Sequence, residues 1–410
     1  MRISHLRQRL RDLGAKPCHE DRLLRGWSQV CSYDRKHSPA EIFFPQALRN
    51  ELPAIEAELH GLARLKSEHL AALSPPLMEP LAIRLSPQAG KSLVISRAAG
   101  EDANAALRAS SNNEGVARLL VELHDGQMVE SVLLPRGGLC VSTQVGCAVG
   151  CVFCMSGRAG LLRQLGSAEI VAQVVLARRR RAVGKVVFMG MGEPAHNLDN
   201  VLEAIGLLGT QGNIGHKNLV LSTVGDLRVF ERLMEGFPLT GKPSPQPSPA
   251  SGRGGKREMQ SSIPVKPALA VSLHSTDAQL RAKLLPHAPQ ITIEELVERS
   301  EAYARATHYP VQYQWTLLEG VNDSDAELQR IAQLLSGKYA VINFIPFNTV
   351  DGLPYRRPSS ERIALMAHTL NRQGIYTRVR DSAGQEIEGA CGQLRARAVQ
   401  TKITAAKISF

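Results

Sequence analysis

Three cysteines at short spacing are the residues of this sequence with the clearest chemical potential. Cys147, Cys151 and Cys154 follow the pattern Cys-x3-Cys-x2-Cys. Three thiolates can bind three irons of a [4Fe–4S] cubane, which leaves the fourth iron without a protein ligand. The alternative is a zinc site with Cys140 as the fourth ligand. The spacing favours the cluster, because Cys-x3-Cys is an unusual zinc half-site and neither a second Cys-x2-Cys nor a His-x3-His follows.

An iron with open coordination positions is what radical S-adenosylmethionine (SAM) enzymes use, and the motif resembles theirs. In those enzymes the amino and carboxylate groups of SAM bind that iron, and an electron from the cluster cleaves SAM to a 5′-deoxyadenosyl radical. Phe153, directly before the last cysteine, also matches their usual arrangement. The motif therefore predicts two cofactors, a [4Fe–4S] cluster on Cys147, Cys151 and Cys154, and SAM.

The elements that must position these residues follow an alternating pattern from Leu139 onward. The predicted strands are 139–143, 185–190, 218–223, 269–274, 311–317 and 341–346. The helical stretches between them include 167–180, 198–208, 293–307 and 325–335. Strand–helix alternation indicates βα units and a parallel sheet, so the predicted fold is α/β, a partial (β/α)6 radical SAM barrel. In such barrels the functional side chains lie at the carboxyl ends of the strands.

Polar and glycine residues stand at several of these predicted strand ends. Gly190 to Pro194 ends the second strand, and its glycines let the backbone approach a ligand closely while Glu193 could pair with the amino group of SAM. Ser222, His274 and Asn348 end other strands. A tight turn or a structural polar residue explains any one of them alone. Four such ends in register favour a bound ligand.

The first part of the chain differs in pattern from the barrel. Residues 1 to about 125 are predicted to be mainly helical, from apolar spacing such as Leu6 with Leu10, then 52–62, continuing to Leu65 and Leu70. Short strands are predicted at 119–123 and 131–134, with a turn at 124–126.

Three regions result from these patterns. They are a small, mainly helical N-terminal accessory domain (1–125), a radical SAM core (126–385) and a C-terminal tail (386–410). Residues 236–266 are rich in Pro, Ser and Gly and are predicted to be a disordered surface insertion in the core. Contact of its basic residues with RNA is the alternative interpretation.

Composition and charge indicate the class of binding partner and the cellular compartment of the protein. The formal net charge of +11 favours an anionic partner such as nucleic acid, although a basic protein without such a partner remains the alternative. The seven cysteines are odd in number and four of them crowd together, which is not a secreted disulfide pattern. Neither a membrane-spanning run nor a signal peptide is recognised, so we expect a cytoplasmic protein.

The remaining cysteines fall into two kinds. Cys18 and Cys31 are interpreted as small buried residues, the usual state of a lone cysteine. Cys391 stands among small residues in Glu388-Gly-Ala-Cys-Gly-Gln-Leu394, which predicts a mobile, exposed thiol.

Arg178 to Arg181 end a predicted helix and are equally compatible with a solvated helix terminus and with phosphate contact.

Taken together, residues 130 to 397 resemble the RlmN/Cfr family of radical SAM RNA methyltransferases, as a divergent RlmN-like member. The resemblance is carried by Cys140-Val-Ser-Thr-Gln-Val-Gly-Cys147, the cluster motif, Gly190-Met-Gly-Glu-Pro194, Leu221-Ser-Thr223, Ser272-Leu-His274, Ile345-Pro-Phe-Asn348 and Ala390-Cys-Gly-Gln-Leu394. The last of these is the most specific, because other radical SAM enzymes lack it.

The resemblance implies methylation of an adenine ring carbon in rRNA, tRNA or both. Of the ring carbons, carbon 2 is the expected one. One SAM methylates Cys391, a radical from a second SAM activates that methyl group, and Cys140 releases the product by forming a disulfide with Cys391. Glu130 corresponds to the family's general base. The implied SAM contacts are Gly192, Glu193, Ser222, Ser272, Leu273, His274 and Asn348.

The resemblance also implies a flavodoxin-like electron donor, and we expect a monomer. Two other functions stay open at this point. One is a radical SAM enzyme that acts on a peptide or a small molecule, which needs the cluster but not Cys391. The other is a zinc-stabilised, non-catalytic RNA-binding protein.

Overall fold

The computed structural model describes residues 1–34, 39–70, 115–158, 160–235, 265–348 and 352–380. The predicted C-terminal tail with Cys391 lies outside the described residues, as do 236–264 of the predicted insertion. Val265, at the end of that predicted insertion, is fully buried in the main core, so the insertion ends before it.

Four helices form the described N-terminal region. They are α1 (Ile3–Asp12), α2 (Pro17–Gln29), α3 (Ala40–Phe43) and α4 (Gln46–Gly61). Leu6 and Leu10 are buried on one face of α1, as their spacing predicts. The prediction that Cys18 and Cys31 are buried is wrong, because both lie outside the face of α2 that meets the core and are exposed.

The prediction that helical structure continues to Leu65 and Leu70 is wrong. Both residues lie in a strand, β1 (Ala63–Leu70). Arg64, Lys66 and Glu68 alternate with the other residues, which is the period of a strand. Antiparallel pairing of β1 with a later strand then decides the conformation, because tertiary pairing overrides a short run of helical spacing.

The predicted hairpin after the N-terminal region is confirmed. Its strands are β2 (Ala117–Leu123) and β3 (Met128–Leu134), which pair antiparallel across a turn at 124–126. The predicted domain boundary at residue 125 falls in this turn. Because β2 and β3 are neighbours in one sheet, the division into two domains stays a prediction.

The barrel strands follow the predicted alternation. They are β4 (Gly138–Cys140), β7 (Lys185–Phe188), β8 (Leu219–Thr223), β9 (Ala268–Ser272), β10 (Val311–Leu317) and β11 (Ala340–Pro346), all parallel to their neighbours in this order. A further parallel strand, β12 (Thr377–Val379), follows β11. Among the described residues, these strands and β1, β2 and β3 form one ten-stranded sheet. Its order is β1-β2-β3-β4-β7-β8-β9-β10-β11-β12. The predicted α/β fold, an incomplete barrel with a helical N-terminal region, is confirmed.

The helices that follow the barrel strands cover its outer face. They are α5 (Ser167–Arg178), α6 (Leu198–Thr210), α7 (Leu227–Met234), α8 (Ala278–Leu284), α9 (Ile293–Thr307), α10 (Asp325–Leu335) and α11 (Ser360–Arg372). Among the described helices, none has both the length and the apolar character that crossing a membrane requires.

Alternation along the strands separates two apolar clusters. Outward residues such as Val186 and Phe188 belong to the main core beneath the helices. Between them in sequence, Val187 faces inward and packs with Val220, Ala268 and Ala270. We call this second set the inner cluster, and Cys140 packs against it. Leu134, Met189 and Tyr309 also pack against this cluster.

Two of the four consecutive arginines at the end of α5, Arg178 and Arg181, form hydrogen bonds within the protein. Arg178 donates to the carbonyl oxygens of Ser28 (2.7 Å), Val183 (3.1 Å) and Gly212 (2.8 Å). Arg181 donates to the carbonyl oxygens of two further residues. Neither of the two interpretations left open for this segment, a solvated terminus or phosphate contact, describes these two side chains.

Candidate active site

The cysteine motif forms a long loop between two short strands. β5 (Gln144–Gly146) and β6 (Leu161–Gln164) pair antiparallel, and the backbone N–H of Cys147 donates to the carbonyl of Gly160 over 3.1 Å. Gly146 closes this loop with a φ of 82°, and a Cβ there would lie 2.0 Å from the Gly160 oxygen. Only glycine fits this position.

The loop is held against the carboxyl end of the barrel. The N–H of Val152 donates to the carbonyl of Leu284 (3.1 Å), and the N–H of His287 donates to the carbonyl of Val149 (3.2 Å). The ring of Phe153 meets the ring of His274 edge to face, with centroids 4.9 Å apart. The residue before the last cysteine of the motif therefore contacts the end of strand β9.

Two thiols of the loop, those of Cys147 and Cys151, have pKa values that a neighbouring thiol helps to raise. The pKa of Cys147 is raised to about 11, by burial first and then by the neighbouring Cys154 and Glu193. The pKa of Cys151 is raised still more, by burial first and then by Cys154 and Cys147. Thiols this close together are suited to bind one cluster. Binding of the cluster replaces the thiol protons by iron.

The zinc interpretation needed Cys140 beside these three cysteines. Cys140 instead packs against the inner cluster, whereas Cys147 and Cys151 pack with Val149 in a separate apolar cluster. Within the described ranges, no group of three or more His, Cys, Asp or Glu side chains is close enough to hold a single metal ion.

Glu193 and Gly192 join the ends of β7 and β8 to the base of the cysteine loop. The Glu193 carboxylate accepts from the N–H groups of Ala195 and Val224, both at 3.1 Å, and its own N–H donates to Oε1 of Gln144 at 2.8 Å. Burial nevertheless raises the pKa of Glu193 to about 7. Gly192 has a φ of 103°, and a Cβ there would lie 2.6 Å from the Gln144 side chain.

Ser222 and Ser272 lie at the carboxyl ends of β8 and β9. Each follows an inward-facing alanine or valine by two residues and therefore faces inward as well. Leu273 differs, because its side chain is fully buried in the main core. Its N–H donates to the carbonyl of Gln314 (3.0 Å), and its carbonyl accepts from the N–H of Ser275 (2.8 Å). Asn348 is half-buried and follows the end of β11.

His274 is fixed by three contacts at the end of β9. Its Nδ1 accepts from the N–H of Thr316 (3.0 Å), its carbonyl accepts from Nδ2 of Asn322 (2.7 Å), and its ring meets Phe153. Its pKa is lowered to about 3, by burial first and then by the charge of Arg281. The imidazole is therefore neutral, with its proton on Nε2, which can donate to a ligand.

The predicted general base and the predicted resolving cysteine lie together on the inner face. Glu130 on β3 is buried, and Nη1 of Arg118 on β2 lies 3.8 Å from its Oε2. Burial raises the pKa of Cys140 to about 12; the Arg118 charge acts to lower this pKa and the Glu130 charge to raise it. Cys391, the predicted methyl carrier, lies outside the described residues.

Arg281 is a site residue that the sequence analysis missed. It is buried, and its Nη2 donates to the carbonyls of Val224 (2.5 Å) and Ser272 (3.2 Å), which follow β8 and end β9. Burial lowers its pKa to about 10, while Cys151 and Glu193 act to raise it. The signal in the sequence was a single arginine in a helix, which carries no sign of its position beside the cysteines.

The chain is similar to other proteins along almost its whole length. Residues 141–239 match the sequence model of the Radical SAM superfamily. A "Probable RNA methyltransferase" from Leptothrix cholodnii is 58% identical over 397 residues, which cover 97% of this chain and 95% of that protein. One from Pseudomonas aeruginosa is 56% identical and covers 98% of this chain and 96% of its own length. The crystal structure of a radical SAM methyltransferase from Sphaerobacter thermophilus has a TM-score of 0.68 and 29% identity, covering 96% of this chain and 97% of that one.

Proposed function

Because this chain belongs to the radical SAM methyltransferases, we propose that it methylates a ring carbon of adenine, specifically carbon 2, in rRNA, tRNA or both. As a member of that family it binds a [4Fe–4S] cluster and SAM. The names of its relatives and the net charge of +11 support RNA as the substrate. The observation that carries the proposal is the buried group of Cys140, Glu130 and Arg118, separate from the three cysteines of the loop.

The residues of the cysteine loop and the strand ends fit the two cofactors. Cys147, Cys151 and Cys154 would hold the cluster, because they are three thiols on one loop and Cys154 is close enough to raise the pKa of the other two. The SAM contacts would be the residues at the carboxyl ends of the barrel strands, Gly192, Glu193, Ser222, Ser272, Leu273, His274 and Asn348. When bound, the cluster and SAM supply a 5′-deoxyadenosyl radical, with the electron provided by a flavodoxin-like donor.

The remaining chemistry belongs to side chains of this chain. The ring carbon is electrophilic, so a direct transfer of the electrophilic SAM methyl group cannot work. Cys391 would therefore carry the methyl group as a thioether, which becomes a carbon radical after loss of one hydrogen atom and adds to the ring. Glu130 would accept the ring proton. The radical adduct would also lose one electron, which the oxidised form of the electron donor can accept. The Cys140 thiolate would then attack the Cys391 sulfur, which forms a disulfide and breaks the bond between that sulfur and the transferred carbon. This carbon would leave with the electron pair and take up a proton, which completes the methyl group.

The proposal can be tested with labelled SAM and two RNA substrates. The protein is purified anaerobically, its cluster is reconstituted, and it is incubated with methyl-labelled SAM, dithionite as the electron source, and unmodified transcripts of rRNA and of tRNA. We expect a labelled methyl group on the Cys391 peptide and labelled 2-methyladenosine in one or both RNAs, both measured by mass spectrometry.

The Cys140→Ala variant adds a sharper readout. Without Cys140 the bond between Cys391 and the RNA cannot be released, so we expect RNA that stays attached to the protein in a denaturing gel. Cys31→Ala, at an exposed cysteine, is the matched control and should release RNA normally. An unmodified Cys391 in a protein that still cleaves SAM would contradict the proposal and favour a peptide or small-molecule substrate.

A further inference from the structure

We propose that Lys185, Asn343, Arg378 and Arg380 form a phosphate-binding site on the inner face of the barrel, which holds a backbone phosphate of the RNA. The inference rests on the proposed function in one respect, the identity of the ligand as RNA. None of these four residues belongs to the predicted cofactor or catalytic groups.

All four side chains are on or beside the inner face. Lys185 begins β7 two residues before Val187 of the inner cluster, so both point inward. On β11, Ile342 and Phe344 belong to the main core, so Asn343 between them points inward. Arg378 is the register partner of Asn343 on β12 and shares its face of the sheet. Arg380 follows two residues later.

Asn343 is the buried polar residue of this site. It has no solvent exposure, and its Oδ1 accepts from Nε of Arg380 over 2.9 Å. The backbone N–H of Arg380 also donates to the carbonyl of Phe344, which fixes this arginine beside β11. Nδ2 of Asn343 is buried and has no hydrogen-bond partner. A buried amide donor without an acceptor is costly, so this group points to an acceptor supplied by a ligand.

The three cations make that ligand an anion. The Arg380 and Arg378 charges lower the pKa of Lys185 beyond the effect of its burial, and Arg378 does the same to Arg380, so these charges lie within reach of one another. The Arg378 guanidinium lies 4.8 Å from the centroid of the Tyr376 ring. In the described part of the chain, none of the three forms an ion pair with a carboxylate. Two guanidinium groups, an ammonium and an amide N–H are all donors, the set that binds a phosphate.

The location favours an RNA phosphate over SAM. The predicted SAM contacts are at the carboxyl ends of the strands, whereas Lys185 is at the amino end of β7. Its partner in the β4–β7 register is Gly138, and Cys140 pairs with Val187 two residues further along. A nucleotide whose phosphate binds at Lys185 can therefore direct its base along the inner face towards Cys140.

The experiment compares RNA binding by three variants with binding by a control. The reconstituted protein is titrated anaerobically into a fluorescein-labelled, single-stranded RNA 12-mer with one adenine, at several salt concentrations. Loss of one phosphate contact lowers the slope of log K against log salt by about 0.7 for a single strand. We expect this reduction, with about fivefold weaker binding at low salt, for Lys185→Gln, Arg378→Gln and Arg380→Gln.

Arg372→Gln is the matched control, because Arg372 is exposed at the end of α11, outside the inner face. It should keep the wild-type slope. Arg378 is exposed, so Arg378→Gln should fold even if a change at Lys185 does not, and iron content checks folding. A second probe is the same 12-mer with single phosphates replaced by neutral methylphosphonates. One replacement should abolish the difference between wild type and Arg378→Gln.

Three results would overturn the inference. One is a wild-type slope for both Lys185→Gln and Arg378→Gln, and another is an equal loss in Arg372→Gln. The third is tighter RNA binding by the variants, which would show that these cations do not bind an RNA phosphate. The binding assay requires no turnover, so an enzyme that binds RNA through these residues but makes no methyladenine would contradict the proposed function alone. Normal methylation with unchanged slopes would contradict only the phosphate site.

Discussion

Cys140 must be a thiolate when it attacks, yet its surroundings keep it protonated. Burial raises its pKa to about 12, and the Glu130 carboxylate contributes to that rise. A carboxylate that accepts a proton loses this effect. Proton transfer to Glu130 would therefore make Cys140 easier to ionise at the step where the proposed mechanism needs its thiolate. This coupling follows from the shared inner face and does not require the two residues to touch.

The coupling predicts how fast Cys140 reacts with iodoacetamide. At pH 8 we expect Cys140 to react about a thousandfold more slowly than the exposed Cys18 and Cys31, because fewer thiolates are present, and to accelerate as the pH rises. Glu130→Gln should speed the reaction of Cys140 by about threefold, because it removes a charge that disfavours the thiolate. Peptide mass spectrometry measures the three rates in one sample.

Glu122→Gln is the control for this measurement. Glu122 is a carboxylate on the neighbouring strand β2 and pairs with Arg64. It should leave the Cys140 rate unchanged. Equal acceleration in both variants would show a general loosening of the strands and would count against an electrostatic coupling between Glu130 and Cys140.

Arg281 is predicted to position the SAM site through the backbone. Its guanidinium joins the carbonyls of Val224 and Ser272, so it fixes the ends of two strands that carry predicted SAM contacts. Arg281→Met leaves both carbonyls without this donor. We expect the Kd for SAM to rise about tenfold, which corresponds to about 1.4 kcal/mol, in equilibrium binding to the reconstituted protein.

Arg299→Met is the comparison for Arg281→Met. Arg299 forms an exposed pair with Glu295 within helix α9, and such pairs contribute little. It should leave the Kd for SAM as in the wild type. If Arg281→Met also binds SAM with wild-type affinity, the arginine has no positioning role in this site.

At the scale of elements, the cysteine loop depends on the closure of its hairpin. Gly146→Ala would bring a Cβ to 2.0 Å from the Gly160 oxygen at a backbone φ of 82°, so the hairpin must open. We expect the iron content after reconstitution to fall by more than half, with a loss of stability of about 2 kcal/mol. Iron analysis and the melting temperature measure the two effects.

A second glycine-to-alanine change tests whether the effect is specific to that hairpin. Gly206 lies within helix α6, and a Cβ there would have no atom within 4 Å. Gly206→Ala should stabilise the protein by about 0.5–1 kcal/mol and leave the iron content unchanged. Full iron content in Gly146→Ala would mean that the loop tolerates an open hairpin.

The sequence predicts the alternating strands and helices of this fold well and several of its other elements poorly. The six barrel strands are identified by their apolar runs, and α9 and α10 by their helical periods. β1 and the three-residue strand β12 are recognisable only once their partners are known, because pairing decides their conformation. The cysteine motif is visible because its residues are neighbours in sequence. Arg281 and Lys185 are not, because their roles depend on strands that meet only in the folded barrel.

At the scale of the whole molecule, the N-terminal helices and the barrel share one core. Leu6 on α1 and Leu24 on α2 belong to the same apolar cluster as Ile170 on α5 and Phe188 on β7. The N–H of Ile3 donates to Oγ of Ser167 over 2.8 Å, which ties the first helix to the start of α5. We therefore expect these helices and the barrel to unfold together.

Arg178 provides the polar part of this connection, and its removal is the test. Arg178→Met deprives the carbonyls of Ser28, Val183 and Gly212 of their donor, and unsatisfied buried acceptors cost about 1–3 kcal/mol each. We expect a loss of about 3 kcal/mol, seen as a single calorimetric transition moved down by about 4 °C. Arg179→Met, at the exposed neighbour, should stay within about 0.5 kcal/mol of wild type. Two separate transitions in Arg178→Met, with the upper one at the wild-type temperature, would mean that the N-terminal helices are an independent unit that only rests against the barrel.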